Sequence, residues 1–357
     1  MSSKAAKDRD ALGGNPTVND VAAAAGVSRS TASRAISGRG YVSEDVRARV
    51  HEAADRVGYV PNGLAQGLKT RSSRAVGVVI SDLTNSFYAA VASGIEQVLR
   101  ADGYRMILCN TDGVAAEERA ALWTLESMRV EGLIITPSSQ HSQARQALAS
   151  HGVAVVEVGT QTKPTSCDAV VVSNEDSACD AVDHLVRLGH RHVGILVGQT
   201  TLTTGAGRLA GYLRALRDAG IEPDRRLISV TRFHPDDPQS DARRLLDSAP
   251  ELTAVFAANN VLAEGLFREI RARGLQIPGD ISVVAFDDLP WMEYASPGIS
   301  TVAQPTGEIG REAATMLLAR LRGELDGPPV THTLPTRFVP RASIGPPRQR
   351  VAIEHLH

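Results

Sequence analysis

The sequence predicts a small all-α helix-turn-helix headpiece joined to an α/β body of two lobes with parallel sheets. Three observations carry that expectation. Residues 17–36 read as two short helices about a glycine turn. From Val76 onward short apolar runs alternate with amphipathic stretches, the pattern of buried parallel strands and their covering helices. The alternation runs through twice, in a chain of 357 residues, too long for one compact domain.

The headpiece spans residues 17–60, after a polar tail (1–16) containing Gly13, Gly14 and Pro16 that is expected to be disordered. Thr17 can N-cap the first helix, with Asp20 completing a partial capping box. Val18, Val21, Ala22 and Ala25 share one face of it. Gly26 stands where the chain reverses, because glycine adopts the left-handed conformation without steric cost. Ser28 can cap the second helix, while Val27, Ala32 and Ile36 would face the first. Small Ala22 and Ala32 would let the two approach closely. Arg29, Ser30 and Arg34 are left on the outer face near that helix's N-terminus. Such a pair can place its second helix in the major groove of DNA, where arginine pairs with guanine O6 and N7. The plainer alternative is an alanine-rich helical pair with solvated arginines. A third helix is expected after Ser43, its cap, with Glu44 and Asp45 in the first turn and Val46, Val50, Ala53 and Val57 at helical spacing. Residues 61–74 read as a linker.

In the body, Val76–Ile80, Met106–Cys109, Leu133–Ile135 and Val153–Val156 are expected strands, separated by helices such as Phe87–Ala101 and Glu117–Met128. The pattern repeats with strands at His192–Val197, Leu227–Val230, Ala254–Ala257 and Ile281–Phe286. Ligands bind such open sheets beyond the carboxyl ends of the strands.

Charge is unevenly distributed. Through Arg74 the chain holds 12 Lys and Arg against 7 Asp and Glu, and beyond it 26 against 33. A basic module on an acidic body suits a protein that touches phosphate with one end. No apolar run is long enough to span a bilayer, and the N-terminus lacks a signal-peptide core, so a cytoplasmic protein is expected, nucleoid-associated when on DNA, with no membrane partner. Cys109, Cys167 and Cys179 fit neither a disulfide framework nor a zinc knuckle and read as reduced thiols, with no metal site. No heptad follows residue 345, so no C-terminal tetramerisation helix is expected.

The order Asp20-Val-Ala22, Ala25-Gly-Val-Ser28, Thr31-Ala-Ser-Arg34, Val42-Ser43, Gly58-Tyr-Val-Pro-Asn62 and Leu64-Ala65 closely resembles the headpiece of the LacI/GalR (lac repressor) family of bacterial transcription regulators. The resemblance continues through Asp82–Tyr88, His184–Leu185, Gly189–Val193, Gly205–Gly211, Ala258–Asn260, Phe286–Asp288 and Thr301–Pro305, and covers residues 17 to about 343. It implies a periplasmic-binding-protein type I body whose C-terminal segment crosses back into each lobe, with an N-lobe of about 75–172 and 304–332, a C-lobe of about 173–303 and 333–345, and a tail 346–357. It also implies a homodimer on a pseudo-palindromic operator in double-stranded DNA, acting as a repressor under control of a small-molecule effector, with no other cofactor. The DNA-contact set it implies is Thr17, Ser28, Arg29, Ser30, Thr31, Ser33 and Arg34. With them go Asn62, Leu64, Ala65, Leu68 and Lys69 of a hinge helix whose Leu68 would wedge into the minor groove.

The implied ligand residues are first Arg208, Asn259 and Asp287, then Thr204, Phe233, Asn85, Phe87 and Tyr88, with Trp291 a lesser candidate that packing explains as well. Each has a plainer reading. Arg208 fits an ion pair at a helix start, Asn259 a helix cap, Phe233 core packing, and Asp287, at the end of a strand, a cap for the next helix. The chain departs from the family pattern at Ser86, where proline is usual, at Asn260, where aspartate is frequent, and at Gly159-Thr160, where Asp-Arg is frequent. Arg, Asn and Asp together suit a hydroxyl-rich molecule, so a sugar or sugar derivative is expected first, while the resemblance of the run Thr204–Gly211 to that of purine-responsive members of the family implies a nucleobase second.

Two other functions share parts of this pattern. A nucleotide-dependent enzyme is suggested by Gly205-Ala-Gly-Arg-Leu-Ala210, a match to G-x-G-x-x-A, but that fingerprint needs its glycines directly after a strand, and Gly198–Thr204 intervene. A transport-type solute-binding protein shares the two-lobed body but has no use for a basic headpiece. The expectation is a regulator, not an enzyme.

Overall fold

The computed structural model describes residues 16–38, 40–59, 73–140, 142–162, 167–231 and 239–348. The expected tail before Pro16, the hinge residues Asn62, Leu64, Ala65, Leu68 and Lys69, Phe233, and the chain beyond Arg348 lie outside these residues. The chain divides into two units, 1–73 and 74–357.

In the first unit α1 (Val18–Ala25), α2 (Arg29–Ser37) and α3 (Glu44–Val57) enclose a core of Val21, Ala22, Ala32, Ala35, Val50, Ala53 and Ala54. Asp20 reaches back to the Thr17 N–H at 2.7 Å, closing the capping box, and Gly26 ends α1 at φ 66°. Ser28 Oγ accepts the Thr31 N–H at 3.1 Å. Ala32 and the partly buried Val27 and Ile36 pack into this core as expected, and Ala35, unread in the sequence, is fully buried beside Ala32. One expectation needs correction: Ser43 occupies the cap position of α3 but makes no side-chain cap bond. The first turn of α3 carries Glu44 and Asp45, acids that favour a helix N-terminus.

The second unit begins with β1 (Ala75–Ile80), α4 (Ser86–Ala101), β2 (Arg105–Asn110), α5 (Ala115–Ser127), β3 (Gly132–Ile135), α6 (Gln143–Ser150), β4 (Ala154–Val158) and β5 (Asp168–Val172). It continues with α7 (Asn174–Arg187), β6 (Val193–Val197), α8 (Thr203–Asp218), a 3-10 turn (Arg225–Leu227), β7 (Ile228–Val230), α9 (Ser240–Ser248), β8 (Ala254–Ala257), α10 (Asn260–Ala272), β9 (Ser282–Phe286) and α11 (Pro290–Tyr294). It closes with β10 (Ser300–Ala303), α12 (Thr306–Arg322), β11 (Thr331–Leu334) and β12 (Arg337–Val339). The first sheet runs β11-β5-β4-β3-β1-β2, all parallel. The second runs β12-β10-β9-β8-β6-β7, parallel except for β12 against β10.

The chain therefore crosses between lobes three times, at 172–174, 303–306 and 334–337. The expected strands are all present within one or two residues, apart from Leu227, which belongs to the 3-10 turn. Strands β5, β10, β11 and β12 went unread, since β11 (Thr-His-Thr-Leu) is polar and largely exposed and β12 has three residues. Near-continuous apolar runs such as Val193–Val197 are buried on both faces of their sheet. One core runs through both lobes, under α4 and α12 on one side and α7 and α8 on the other.

Candidate functional site

Two surfaces collect the candidate residues. The first is the exposed side of α2. Arg29, Ser30 and Arg34 are exposed there, with Thr31 and Ser33 half-buried. The polar side chains are already organised among themselves. Ser28 Oγ lies 2.9 Å from Ser30 Oγ and 2.8 Å from Thr31 Oγ1, and Thr17 is engaged with Asp20. Arg34 Nε donates to the Ser30 carbonyl at 3.2 Å, which leaves its two terminal nitrogens as the fork for a partner. Rotamer freedom lost before binding is not lost again on binding.

The second surface is a cleft of about 960 Å³ within the second unit. Its walls come from strand ends and the helix starts that follow them, as the geometry of open parallel sheets requires. Asn85, Phe87, Tyr88, Thr204, Arg208, Asn259 and Asp287 all line it. Trp291 does not. It packs on Phe267 at 5.8 Å between ring centroids, in the second C-lobe core, where the apolar side of α10 offers a better partner than solvent.

Arg208 is buried in the second turn of α8, and among the described residues its side chain bonds to an amide and a carbonyl in place of the expected ion pair at a helix start. Its guanidinium lies 3.6 Å from the ring centroid of Phe286. Its Nε donates to Asn174 Oδ1 at 2.8 Å and its Nη1 to the Ala258 carbonyl at 2.5 Å. Burial brings its pKa down to about 10, opposed by the nearby charge of Asp287, so it remains a cation at neutral pH.

Asn259 is a helix cap, its Oδ1 accepting the Leu262 N–H at 2.8 Å. Asp287 caps too, though not the helix after it. Its Oδ2 accepts both the backbone N–H of Asn260, at the start of α10, and Asn260 Nδ2, at 3.0 and 2.8 Å. Its Oδ1 accepts Gln304 Nε2. Asp287 holds this place at φ 76°, a left-handed conformation unusual for a residue with a side chain. Strain of that kind persists where surrounding bonds over-determine it. Asn85 caps α4 through the Phe87 N–H at 3.0 Å, and its Nδ2 crosses to Asn260 Oδ1 at 3.1 Å. The unusual asparagine at 260 thereby explains itself: an amide donates to Asp287 and accepts from Asn85, whereas a carboxylate there would face another carboxylate. A second bridge joins the lobes where Thr160 Oγ1 lies 3.2 Å from Thr204 Oγ1 and the Gln161 N–H donates to Thr203 Oγ1 at 2.8 Å. Tyr88 lies edge-on to Phe87 at 5.1 Å, and burial raises its phenol pKa.

Sequence reasoning missed Asn174, Phe286 and Gln304 as parts of this site. Phe286 and Gln304 sit inside quoted motifs, but nothing in one dimension says that they touch Arg208 and Asp287. The glycine motif 205–211 also finds its reason. A Cβ at Gly205 would fall 2.3 Å from Gln199 O, at Gly207 3.2 Å from Asn174 Cβ, and at Gly211 2.1 Å from Glu175 O. These glycines let α8 pack on α7 and on the preceding loop. They do not form a strand-to-helix phosphate turn, since β6 ends at Val197 and α8 begins at Thr203. Among the described residues no cluster of His, Cys, Asp or Glu could hold a metal ion, and no helix is long and apolar enough to cross a membrane.

Comparison with known proteins finds a family match in each of the two units. The family described as "Bacterial regulatory proteins, lacI family" matches residues 17–62, and "Periplasmic binding protein-like domain" matches 182–344. The chain is 32% identical over 307 residues to the HTH-type transcriptional repressor PurR of Vibrio atlanticus (strain LGP32), covering 86% of this chain and 92% of that one. It is similar to the structure of a transcriptional regulator CelR–cellobiose complex, with a TM-score of 0.70, 33% identity and coverage of 92% and 100% of the two chains. It is also similar to the lac repressor dimer bound to operator and the anti-inducer ONPF, with a TM-score of 0.79, 27% identity and coverage of 92% and 99%. A headpiece of three helices before a two-lobed body with a polar cleft, matched along nearly the whole length of such relatives, places this chain in the lacI family of bacterial regulatory proteins, as a ligand-responsive, DNA-binding transcription regulator.

Proposed function

We propose that this regulator is a homodimeric repressor whose effector is a sugar or sugar derivative bound between the lobes. Arg29, Ser30 and Arg34 would read base edges in each half of a pseudo-palindromic operator, with Thr17, Ser28, Thr31 and Ser33 in support. Asn62, Leu64, Ala65, Leu68 and Lys69 would form the hinge helix at the operator centre. It works in the cytoplasm and needs no cofactor beyond its effector. One observation carries the ligand reading: Arg208, Asn259 and Asp287, far apart in sequence, line one cleft beside Thr204, Asn85, Phe87 and Tyr88. Fixed donors and acceptors, with the aromatic side chains of Phe87 and Tyr88 in the same lining, suit hydroxyl groups on a ring with an apolar face. The similar CelR structure holds cellobiose, which supports a sugar. Phe233 belongs to the same proposal.

The test is a thermal-shift screen of cellobiose, glucose, ribose, hypoxanthine and guanine against wild type and Arg208→Gln. A sugar that raises the wild-type Tm and leaves the variant unmoved is the expected result. A nucleobase acting alone would transfer the reading to purines. A ligand that stabilises both proteins equally would remove Arg208 from the site.

A further inference from the structure

Two of the three crossovers between lobes send an amide side chain to a charged residue of the cleft. At the first, β5 of the N-lobe ends at Val172 and α7 of the C-lobe begins at Asn174. Asn174 is buried, its Nδ2 donates to the Val172 carbonyl at 3.2 Å, and its Oδ1 accepts Arg208 Nε at 2.8 Å. At the second, Gln304 lies between β10 and α12 and donates to Asp287. We propose that Asn174 is a positioning residue that ties the Arg208 guanidinium to the first crossover, so that the two move as one.

The chemistry favours this residue type. An amide suits this point because its Nδ2 donates to a strand-end carbonyl while its Oδ1, on the other arm of the same planar group, accepts from a guanidinium. Backbone closeness holds it there, because Gly207 of α8 lies under Asn174, with room for no more than a tight Cβ contact at 3.2 Å. Arg208 has little freedom of its own, stacked on Phe286 and bound to the Ala258 carbonyl. A displacement of the guanidinium must therefore either break the Asn174 bond or carry the crossover with it. At the second crossover Gln304 makes a similar tie to Asp287, one of the carboxylates that line the cleft. A ligand seated between Arg208 and Asp287 would thus act on two of the three connecting strands. That consequence rests on the effector reading proposed above, while the link between Asn174 and Arg208 does not.

The experiment uses the full chain with no ligand. Hydrogen exchange at the amides of residues 172–177 is compared in wild type, Asn174→Ala, Arg208→Lys and the double variant. Lysine keeps the charge but lacks the Nε–H donor. Arg208→Lys is expected to speed exchange roughly three- to tenfold, as loss of one hydrogen bond does, and Asn174→Ala at least as much, since it also removes the bond to the Val172 carbonyl, with the double variant no faster than Asn174→Ala. If Arg208→Lys leaves these amides unchanged, or the two effects multiply, the proposal is overturned and Asn174 is merely structural. Asn174→Asp provides a second reading should the alanine variant not fold. It keeps the acceptor, so the Arg208 Nε–H resonance in a 15N-arginine spectrum should stay protected while the crossover amides exchange faster. Loss of that protection, or an unchanged crossover, would equally overturn it. The sugar reading stands or falls separately, on the Arg208 thermal-shift comparison.

Discussion

At the scale of single residues, the same side chains serve the fold and the candidate sites. Arg34 commits its Nε to the Ser30 carbonyl and keeps a fork for a guanine edge. Arg34→Ala should cost about 1–3 kcal/mol per half-site and relax preference at one symmetric position in a selection from random duplexes. Weakening spread evenly over all sequences would assign Arg34 to phosphate. His190 lies buried with Nε2 2.8 Å from the Gly345 carbonyl and Nδ1 2.9 Å from Thr253 Oγ1. Burial lowers its pKa from the model-peptide value of 6.5, so the unfolded chain takes up this proton more readily than the folded one. Its contribution to stability is therefore complete above that value and is lost as the pH falls below it. Urea midpoints at pH 7.5 and 5.5 should drop further in wild type than in His190→Gln, which starts less stable at pH 7.5. Equal drops would show that His190 does not carry the dependence.

Among elements, the α7–α8 and α4–α12 pairs are close enough that a single added methyl would meet backbone, at Gly211 in the first and at Gly94 and Gly310 in the second. Gly211→Ala puts a Cβ 2.1 Å from Glu175 O, so the helices must separate. Overpacking of this kind costs about 1–3 kcal/mol, and a lowered Tm is expected. Gly279→Ala, which meets only Gln276 Cβ at 3.4 Å, is the control and should leave the Tm nearly unchanged. A Gly211 variant as stable as the control would mean that the helices tolerate a wider spacing. The hinge segment makes its prediction from sequence alone. Gly63 and Gly67 each disfavour a helix by about 1 kcal/mol relative to alanine. Gly67→Ala should tighten operator binding and blunt the ligand response in a mobility-shift titration. A clear loss of binding would show instead that the backbone needs close approach to DNA at that point.

For the molecule as a whole, the bridges from Asn85 to Asn260 and from Thr160 to Thr204 join the lobes across the cleft that the effector would enter. Binding there and binding at the operator must then be linked reciprocally. If a sugar changes operator affinity by some factor, operator changes affinity for that sugar by the same factor. Titrating the sugar into protein alone and into protein with operator measures both. Unequal factors would reveal a third linked equilibrium, such as dimer dissociation.

What the sequence determined by itself was whatever local chemistry dictates. The capping box at Thr17 and Asp20, the reversal at Gly26 and the apolar runs of the buried strands each depend on neighbours in the chain. The headpiece and the β/α alternation were therefore legible, whereas the grouping of Arg208, Asn259 and Asp287 came from the family resemblance and not from local chemistry. Orientation was decided only in three dimensions. Asn259 and Asp287 turn out to cap α10, and Trp291 is drawn away from the cleft by Phe267. The partners of Arg208 come from residues 174, 258 and 286, and Asn260 bridges to Asn85, 175 positions away. Such pairings depend on which strand ends the crossovers bring together, and a one-dimensional pattern carries no record of that distance.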